Sequence, residues 1–277
     1  MTTLALAHDL QGPAGGPLLV LLHGLTDSRV SYGPTVAHLV ERGCRVANVD
    51  LRGHGASPRA ERYRAIDFAA DVAALIDALG CGPALVVGHS LGGLSAAALA
   101  AQHPGAVRAV LLEDPPLFEG DDTIRNASPA AAHFPAFAAL LRELQGRGAT
   151  EDEVIAVIGR GPSPYGGSQA DRLDRTRLAQ RARSVLAVDP ATIDAAIAGE
   201  TWAGYDPHAP LDRPVTVLAA DPGFGAVFLP EHAAWFCAAN PDAEVRPVAG
   251  IGHSIHADPE GLPIYLTELD QFLVTHG

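Results

Sequence analysis

Residues Ala84 to Gly93 read Ala-Leu-Val-Val-Gly-His-Ser-Leu-Gly-Gly, an apolar run that ends in a G-x-S-x-G motif. The alanine-rich segment that follows, residues 94–102, has the pattern of a helix. A strand, a sharp turn and a helix are the setting in which this motif holds a serine Oγ exposed above a sheet. Gly88 and Gly92 leave room for the strand and the helix to approach closely. The segment therefore predicts that Ser90 is a nucleophile. The alternative is that the turn has lost its catalytic role in a protein that is not an enzyme.

Strands and helices alternate on both sides of this segment. Apolar runs at residues 18–22, 44–49 and 106–112 predict further strands. Helical patterns at residues 32–42 and 66–78 lie between strands. Alternation at this spacing is typical of right-handed βαβ units. The predicted fold class is α/β, a mostly parallel twisted sheet flanked by helices.

The alternation stops after Pro115-Pro116. Residues 117–209 show helical patterns, including one over residues 169–188, and no convincing strand. The arginines of residues 172–183 alternate with acidic and amide residues, which predicts a solvated helix face. Strand patterns resume at residues 215–219 and 244–248. We therefore expect an α/β core formed by residues 1–116 and 210–277, with residues 117–209 inserted as a helical cap.

Composition narrows the classes of partner. The 277 residues are 48% hydrophobic, which suffices for a sizeable core, and the formal net charge is −13. That charge argues against nucleic acid or an anionic membrane as a partner. The chain contains no lysine, so lysine-based chemistry such as a Schiff base is excluded. It also lacks a Walker A motif, a G-x-G-x-x-G after its first strong strand and a metal-ligand cluster, so we expect no cofactor and no metal.

Cysteine usage and the N-terminal segment bear on location. Cys44, Cys81 and Cys237 have no C-x-x-C spacing and fit a reduced compartment. Residues 1–10 lack the basic and apolar regions of a signal peptide. No apolar run reaches the roughly 18 residues of a membrane helix. The expectation is a cytoplasmic protein without a membrane partner; the sequence does not determine its oligomeric state.

Four motifs, in this order, resemble those of the α/β-hydrolase superfamily. They are His23-Gly24-Leu25, Asp50 to Ser57, Gly88 to Gly93 and Gly250-Ile251-Gly252-His253. The resemblance covers essentially the whole chain and implies the superfamily's fold. It says less about the reaction, because this fold hosts many chemistries.

A serine hydroxyl needs a base to accept its proton. His253 is the candidate base, because it follows a strand on a glycine-flanked loop and the order serine, acid, histidine matches the superfamily. His256 is the alternative but lacks the glycine context. The resemblance also implies that the backbone N–H groups of Leu25 and Leu91 form the oxyanion hole.

The acid that would orient the base is ambiguous. Most members of the superfamily place it after the strand that follows the cap, where this chain has Asp221, but Gly223 stands at the usual acid position. Some haloalkane dehalogenases and zearalenone-type lactonases place it before the cap, where this chain has Asp114, 24 residues after Ser90. The sequence favours Asp114, keeps Asp221 as the alternative and leaves little for Glu113. A turn-capping aspartate is the other interpretation of Asp114.

These residues predict a serine hydrolase that cleaves a neutral, fairly hydrophobic carboxylic ester or lactone through an acyl-enzyme. Leu25, Phe134, Trp202 and Phe224 are candidates to line an apolar pocket for this small molecule. The same residues would also serve hydrolysis of C–C or amide bonds, or haloperoxidase-like perhydrolysis. A ligand-binding receptor that kept the fold is the alternative from outside enzymology.

Overall fold

A seven-stranded sheet lies at the centre of the chain. The computed structural model describes residues 3–277, apart from the side chains of residues 129–131. Its strands are β1 (His8–Gln11), β2 (Leu18–Leu22), β3 (Arg45–Val49), β4 (Ala84–His89), β5 (Val107–Glu113), β6 (Val215–Ala220) and β7 (Glu244–Val248). Its helices are α1 (Gly33–Glu41), α2 (Ala65–Leu79), α3 (Leu91–Gln102), α4 (Asp122–Ala127), α5 (Pro129–Gly146), α6 (Glu151–Gly159), α7 (Gln169–Arg172), α8 (Arg175–Ala187), α9 (Pro190–Ile197), α10 (Pro230–Ala239) and α11 (Gly261–His276).

The strand order is β1-β3-β2-β4-β5-β6-β7, and every pair except β1 with β3 is parallel. This confirms the predicted α/β fold with a mostly parallel sheet. In the register of the central strands, His89 pairs with Glu113, and Glu113 pairs with Leu218. The residues that follow β4, β5 and β6 therefore emerge at one edge of the sheet. In open α/β sheets the carboxyl ends of the strands are where ligands bind.

The sheet is covered on both faces. Along β2, Leu18, Val20 and Leu22 belong to the apolar cluster packed under α2 and α3, while Leu19 and Leu21 belong to the cluster packed under α1 and α11. All five side chains are buried, and a leucine buried in this way contributes about 1.5–3 kcal/mol. This two-sided burial explains why β2 is continuously apolar in sequence rather than alternating.

The helices α4 to α9 lie between β5 and β6 in the chain. The longer ones have an apolar cluster of their own, which includes Leu141, Leu144, Val154, Val185 and Ile193. Leu25 and Phe134 pack against that cluster and also against the cluster under α2 and α3, so the inserted helices contact the sheet domain. Within residues 3–277, no helix combines the length and the hydropathy of a membrane span.

One local prediction was wrong, and one strand was missed. The helix expected over residues 169–188 is divided into α7 and α8, because Leu173 is extended and the Asp174 side chain caps α8 by accepting a hydrogen bond from the Arg177 N–H. Strand β1 was not expected from the sequence. It is a short antiparallel edge strand with mostly exposed side chains, so it has no apolar run that would reveal it.

Candidate active site

Ser90 occupies the turn between β4 and α3. Its backbone has φ 50° and ψ −115°, an unfavourable conformation for a residue other than glycine. The Ser90 N–H donates to the Glu113 carbonyl at 2.9 Å, which ties the turn to β5. A Cβ at Gly88 would lie 2.2 Å from the Gly92 carbonyl oxygen, and one at Gly92 would lie 2.0 Å from the Leu22 carbonyl oxygen. The two glycines therefore allow the close backbone approach on which the turn depends.

Asp114 and His253 form a hydrogen-bonded pair at the carboxyl end of the sheet. The His253 Nδ1–H donates to Asp114 Oδ2 at 2.6 Å. Asp114 is fully buried, whereas the His253 side chain keeps 30% of its surface exposed. The Asp114 carboxylate also accepts from the Val227 and Phe228 N–H groups, at 2.9 and 3.1 Å, so it is held rigidly. This pair can fix the imidazole tautomer and stabilise its protonated form.

The Asp221 carboxylate binds backbone N–H groups of two loops. It accepts from the Gly223 N–H at 2.8 Å and from the Gly250 N–H at 2.7 Å, and these two amides lower its pKa. It caps the turn after β6 and braces the loop that leads to His253. The carboxylate that contacts His253 is thus that of Asp114, and the alternative acid of the sequence analysis has a different set of partners.

Two backbone N–H groups are available beside the serine. Leu91 begins α3, and the N–H of a first helical residue has no partner within its helix. Leu25 follows Gly24 on the loop after β2, and a Cβ at Gly24 would lie 3.4 Å from the Ser90 Cβ. Among the described residues, neither the Leu25 nor the Leu91 N–H donates to another part of the chain. Both are free to bind an oxyanion.

A cavity of about 440 Å³ lies beside Ser90. Ser90 and His253 line it together with three of the pocket candidates, Leu25, Phe134 and Trp202. The fourth candidate, Phe224, does not line this cavity: it stacks on Tyr165 at a centroid distance of 5.0 Å and lines an adjoining cavity of about 730 Å³ that His253 also borders.

A sequence model of the family described as alpha/beta hydrolase fold matches residues 17–259. The chain belongs to this family. A 2-(acetamidomethylene)succinate hydrolase of Mesorhizobium japonicum is 42% identical over 107 residues, which is 38% of this chain and 38% of that relative. The chain therefore matches less than half the length of this curated relative.

Solved structures show the same α/β-hydrolase fold over nearly the whole chain. A marine microorganism esterase superposes with a TM-score of 0.75 at 22% identity, covering 98% of this chain and all of the other. The enol-lactonase from Burkholderia xenovorans LB400 superposes with a TM-score of 0.71 at 23% identity, covering 97% and 96%.

A second carboxylate–histidine pair lies behind the first in this α/β hydrolase. The His256 Nδ1–H donates to Glu113 Oε2 at 2.8 Å, and both side chains are fully buried. Tyr32 stacks on the His256 ring at a centroid distance of 4.4 Å. His256 and Glu113, the alternative base and acid of the sequence analysis, thus pair with each other in the interior rather than with Ser90.

His89 packs between the two pairs. Its ring centroid is 4.7 Å from that of His253 and 5.0 Å from that of His256. Its Nε2–H donates to the His253 carbonyl at 3.1 Å, which anchors the loop carrying His253. Burial is the main cause that holds the pKa of His89 well below its usual value, and the neighbouring His253 and His256 lower it further. His89 is therefore a neutral residue that supports the His253 loop.

Three charged residues of the cavity, Asp27, Glu119 and Arg181, were missed by sequence reasoning. Glu119 is buried and lines the cavity; burial is the main cause that raises its pKa. Arg181 also lines it, although its segment was predicted to be a solvated face. That prediction was wrong for Arg181, and its spacing of three and four residues from Leu178 and Val185, both buried, was the signal of an inward face. Among residues 3–277, no three His, Cys, Asp or Glu side chains converge as a metal site.

Proposed function

We propose that this α/β hydrolase is a serine hydrolase that cleaves a carboxylic ester or lactone through an acyl-enzyme. The observation that carries the proposal is that Ser90, on its strained turn, and His253, hydrogen-bonded to the buried Asp114, line one cavity. A nucleophile, a base and an orienting acid in this arrangement are the parts that acyl transfer needs.

In the proposed mechanism the Ser90 Oγ attacks the substrate carbonyl and His253 takes the hydroxyl proton. The carbonyl oxygen gains negative charge and is bound by the Leu25 and Leu91 N–H groups, each worth about 3–4 kcal/mol of transition-state stabilisation. His253 then protonates the departing alkoxide, which leaves Ser90 acylated. Water, deprotonated by the same imidazole, hydrolyses the acyl-enzyme and regenerates Ser90.

The proposed cap, residues 117–209, supplies the specificity. It contributes Phe134, Phe137, Leu140, Val157, Ile158 and Trp202 to the cavity wall, mostly apolar surface that suits a hydrophobic acyl or alkyl group. A cover of this kind also limits the access of water to the reacting groups. The position of Asp114 after β5 carries the resemblance to lactonases. The names of the relatives, which include a hydrolase, an esterase and an enol-lactonase, agree with hydrolysis without choosing the bond.

Labelling with a fluorophosphonate and turnover of p-nitrophenyl esters, acetate to decanoate, test this function. We expect mass spectrometry to find the label on Ser90 and the ester series to show an optimum chain length that reflects the cavity. Labelling without turnover of any ester or lactone would reassign the reaction to another bond. Absence of both would favour a ligand-binding protein.

The pH profile provides a separate test of His253 as the base. Burial lowers the pKa of His253, but the hydrogen bond to Asp114 and the charges of Asp114, Glu113 and Glu119 raise it, and the net pKa lies above the usual 6.5. A general base works only in its neutral form, so kcat/KM is expected to fall as pH decreases through an inflection above 6.5. The rate of p-nitrophenyl ester hydrolysis against pH measures this inflection; an acidic limb below pH 6 would contradict the assignment.

A further inference from the structure

Arg181 differs from the other arginines of its segment. Each of those is within 4 Å of a carboxylate: Arg172 contacts Asp258 and Glu260, Arg175 contacts Asp152, Arg177 contacts Asp174, and Arg183 contacts Glu151. Among the described residues, no carboxylate lies within 4 Å of the Arg181 guanidinium. It turns inward from α8 and lines both the Ser90 cavity and the adjoining cavity.

A neutral side chain orients this guanidinium. The Arg181 Nη1–H donates to Gln169 Oε1 at 3.0 Å, and the Gln169 amide nitrogen in turn donates to the Pro162 carbonyl at 2.9 Å. Gln169 is thus fixed, with its oxygen directed at the arginine. The other guanidinium N–H donors have no hydrogen-bond partner among the described residues. A guanidinium carries five donors in a planar fork that matches a carboxylate.

The charge of Arg181 affects a titratable group at the cavity. Burial lowers its pKa, while Asp27 and Asp258, both beyond 4 Å, oppose that effect. Arg181 is also among the groups that lower the pKa of His89, the neighbour of Ser90. Arg181 is only partly exposed to solvent, and holding a cation there without a carboxylate of the described residues within 4 Å costs free energy. An anionic ligand would recover that cost.

We propose that Arg181 binds a carboxylate of the substrate, so that the substrate is an ester or lactone carrying a free carboxylate away from the scissile carbonyl. This inference rests on the proposed function and replaces the neutral substrate expected from the sequence. A single guanidinium fork can bind a carboxylate through two parallel hydrogen bonds, whereas phosphate sites commonly add several backbone N–H donors.

The first experiment compares p-nitrophenyl hexanoate with mono-p-nitrophenyl adipate, in which a carboxylate replaces the terminal methyl group. We expect the wild type to prefer the adipate ester. Arg181→Gln is expected to lower kcat/KM for adipate about 10- to 100-fold, mainly through KM, because hydrogen bonds to charged groups contribute about 1.5–3 kcal/mol. The same variant should change kcat/KM for hexanoate less than about threefold. Arg181→Lys should fall between, since it keeps the charge and loses the fork.

Arg183→Gln is the matched control, because Arg183 lies on the same helix and is exposed. Equal losses on both esters in Arg181→Gln, or a wild type without preference for adipate, would overturn the inference while leaving the serine hydrolase in place. A binding measurement removes the dependence on turnover. Calorimetry should show that Ser90→Ala binds monomethyl adipate more tightly than dimethyl adipate, and that adding Arg181→Gln removes the difference; equal binding of the two would refute the subsite.

Discussion

Ser90→Ala is expected to reduce kcat for ester hydrolysis on the order of 10⁶-fold, because the attacking oxygen is lost and the remaining groups act only as a unit. The Ser90 side chain makes no hydrogen bond to another described residue, so its removal should leave the free energy of unfolding within about 0.5 kcal/mol of the wild type. Stopped assays with p-nitrophenyl esters measure the first effect, and urea denaturation measures the second.

Ser254→Ala provides the control for this substitution. Ser254 lines the same cavity and follows His253 in the chain, but it is not on the turn after β4. Its variant should keep activity within a few fold of the wild type. A Ser90→Ala protein that stays folded and retains more than about a hundredth of the activity would show that another group attacks the substrate, and the proposed acyl-enzyme would have to be abandoned.

The sequence contained most of the fold because the physical signals were local. Runs such as Leu18–Leu22 are apolar at every position, as expected for a strand covered on both faces. The alternation of these strands with helices was enough to predict a parallel sheet. Strand β1 was missed since backbone pairing with β3, and not burial, holds it in place.

Only the site residues that lie within sequence motifs could be predicted. Ser90 and His253 are each flanked by glycines that the backbone of their loops requires. Both residues can therefore be recognised from the sequence alone. The choice between Asp114 and Asp221 depends on which strand end faces His253, a fact of three-dimensional register. Arg181 could not be identified from the sequence for a related reason. That no carboxylate of the described residues lies close to it can be seen only in the three-dimensional structure.

Asp114→Asn is expected to lower kcat on the order of 10⁴-fold, because an amide in place of the carboxylate lets His253 adopt the wrong tautomer and no longer stabilises its protonated form. The substitution also removes two of the causes that raise the pKa of His253. The acidic limb of the remaining activity should therefore move to lower pH. Steady-state rates across the pH range measure both effects in one experiment.

Asp221→Asn is the matched variant, since Asp221 also follows a central strand and also accepts hydrogen bonds from two backbone N–H groups. It should retain activity within a few fold and leave the acidic limb in place. The reverse result, with Asp221→Asn inactive and Asp114→Asn nearly intact, would move the acid to Asp221. That outcome would require the loop around Gly250 to rearrange, because the Asp221 carboxylate is bound there and would have to release the Gly250 N–H before it could contact His253.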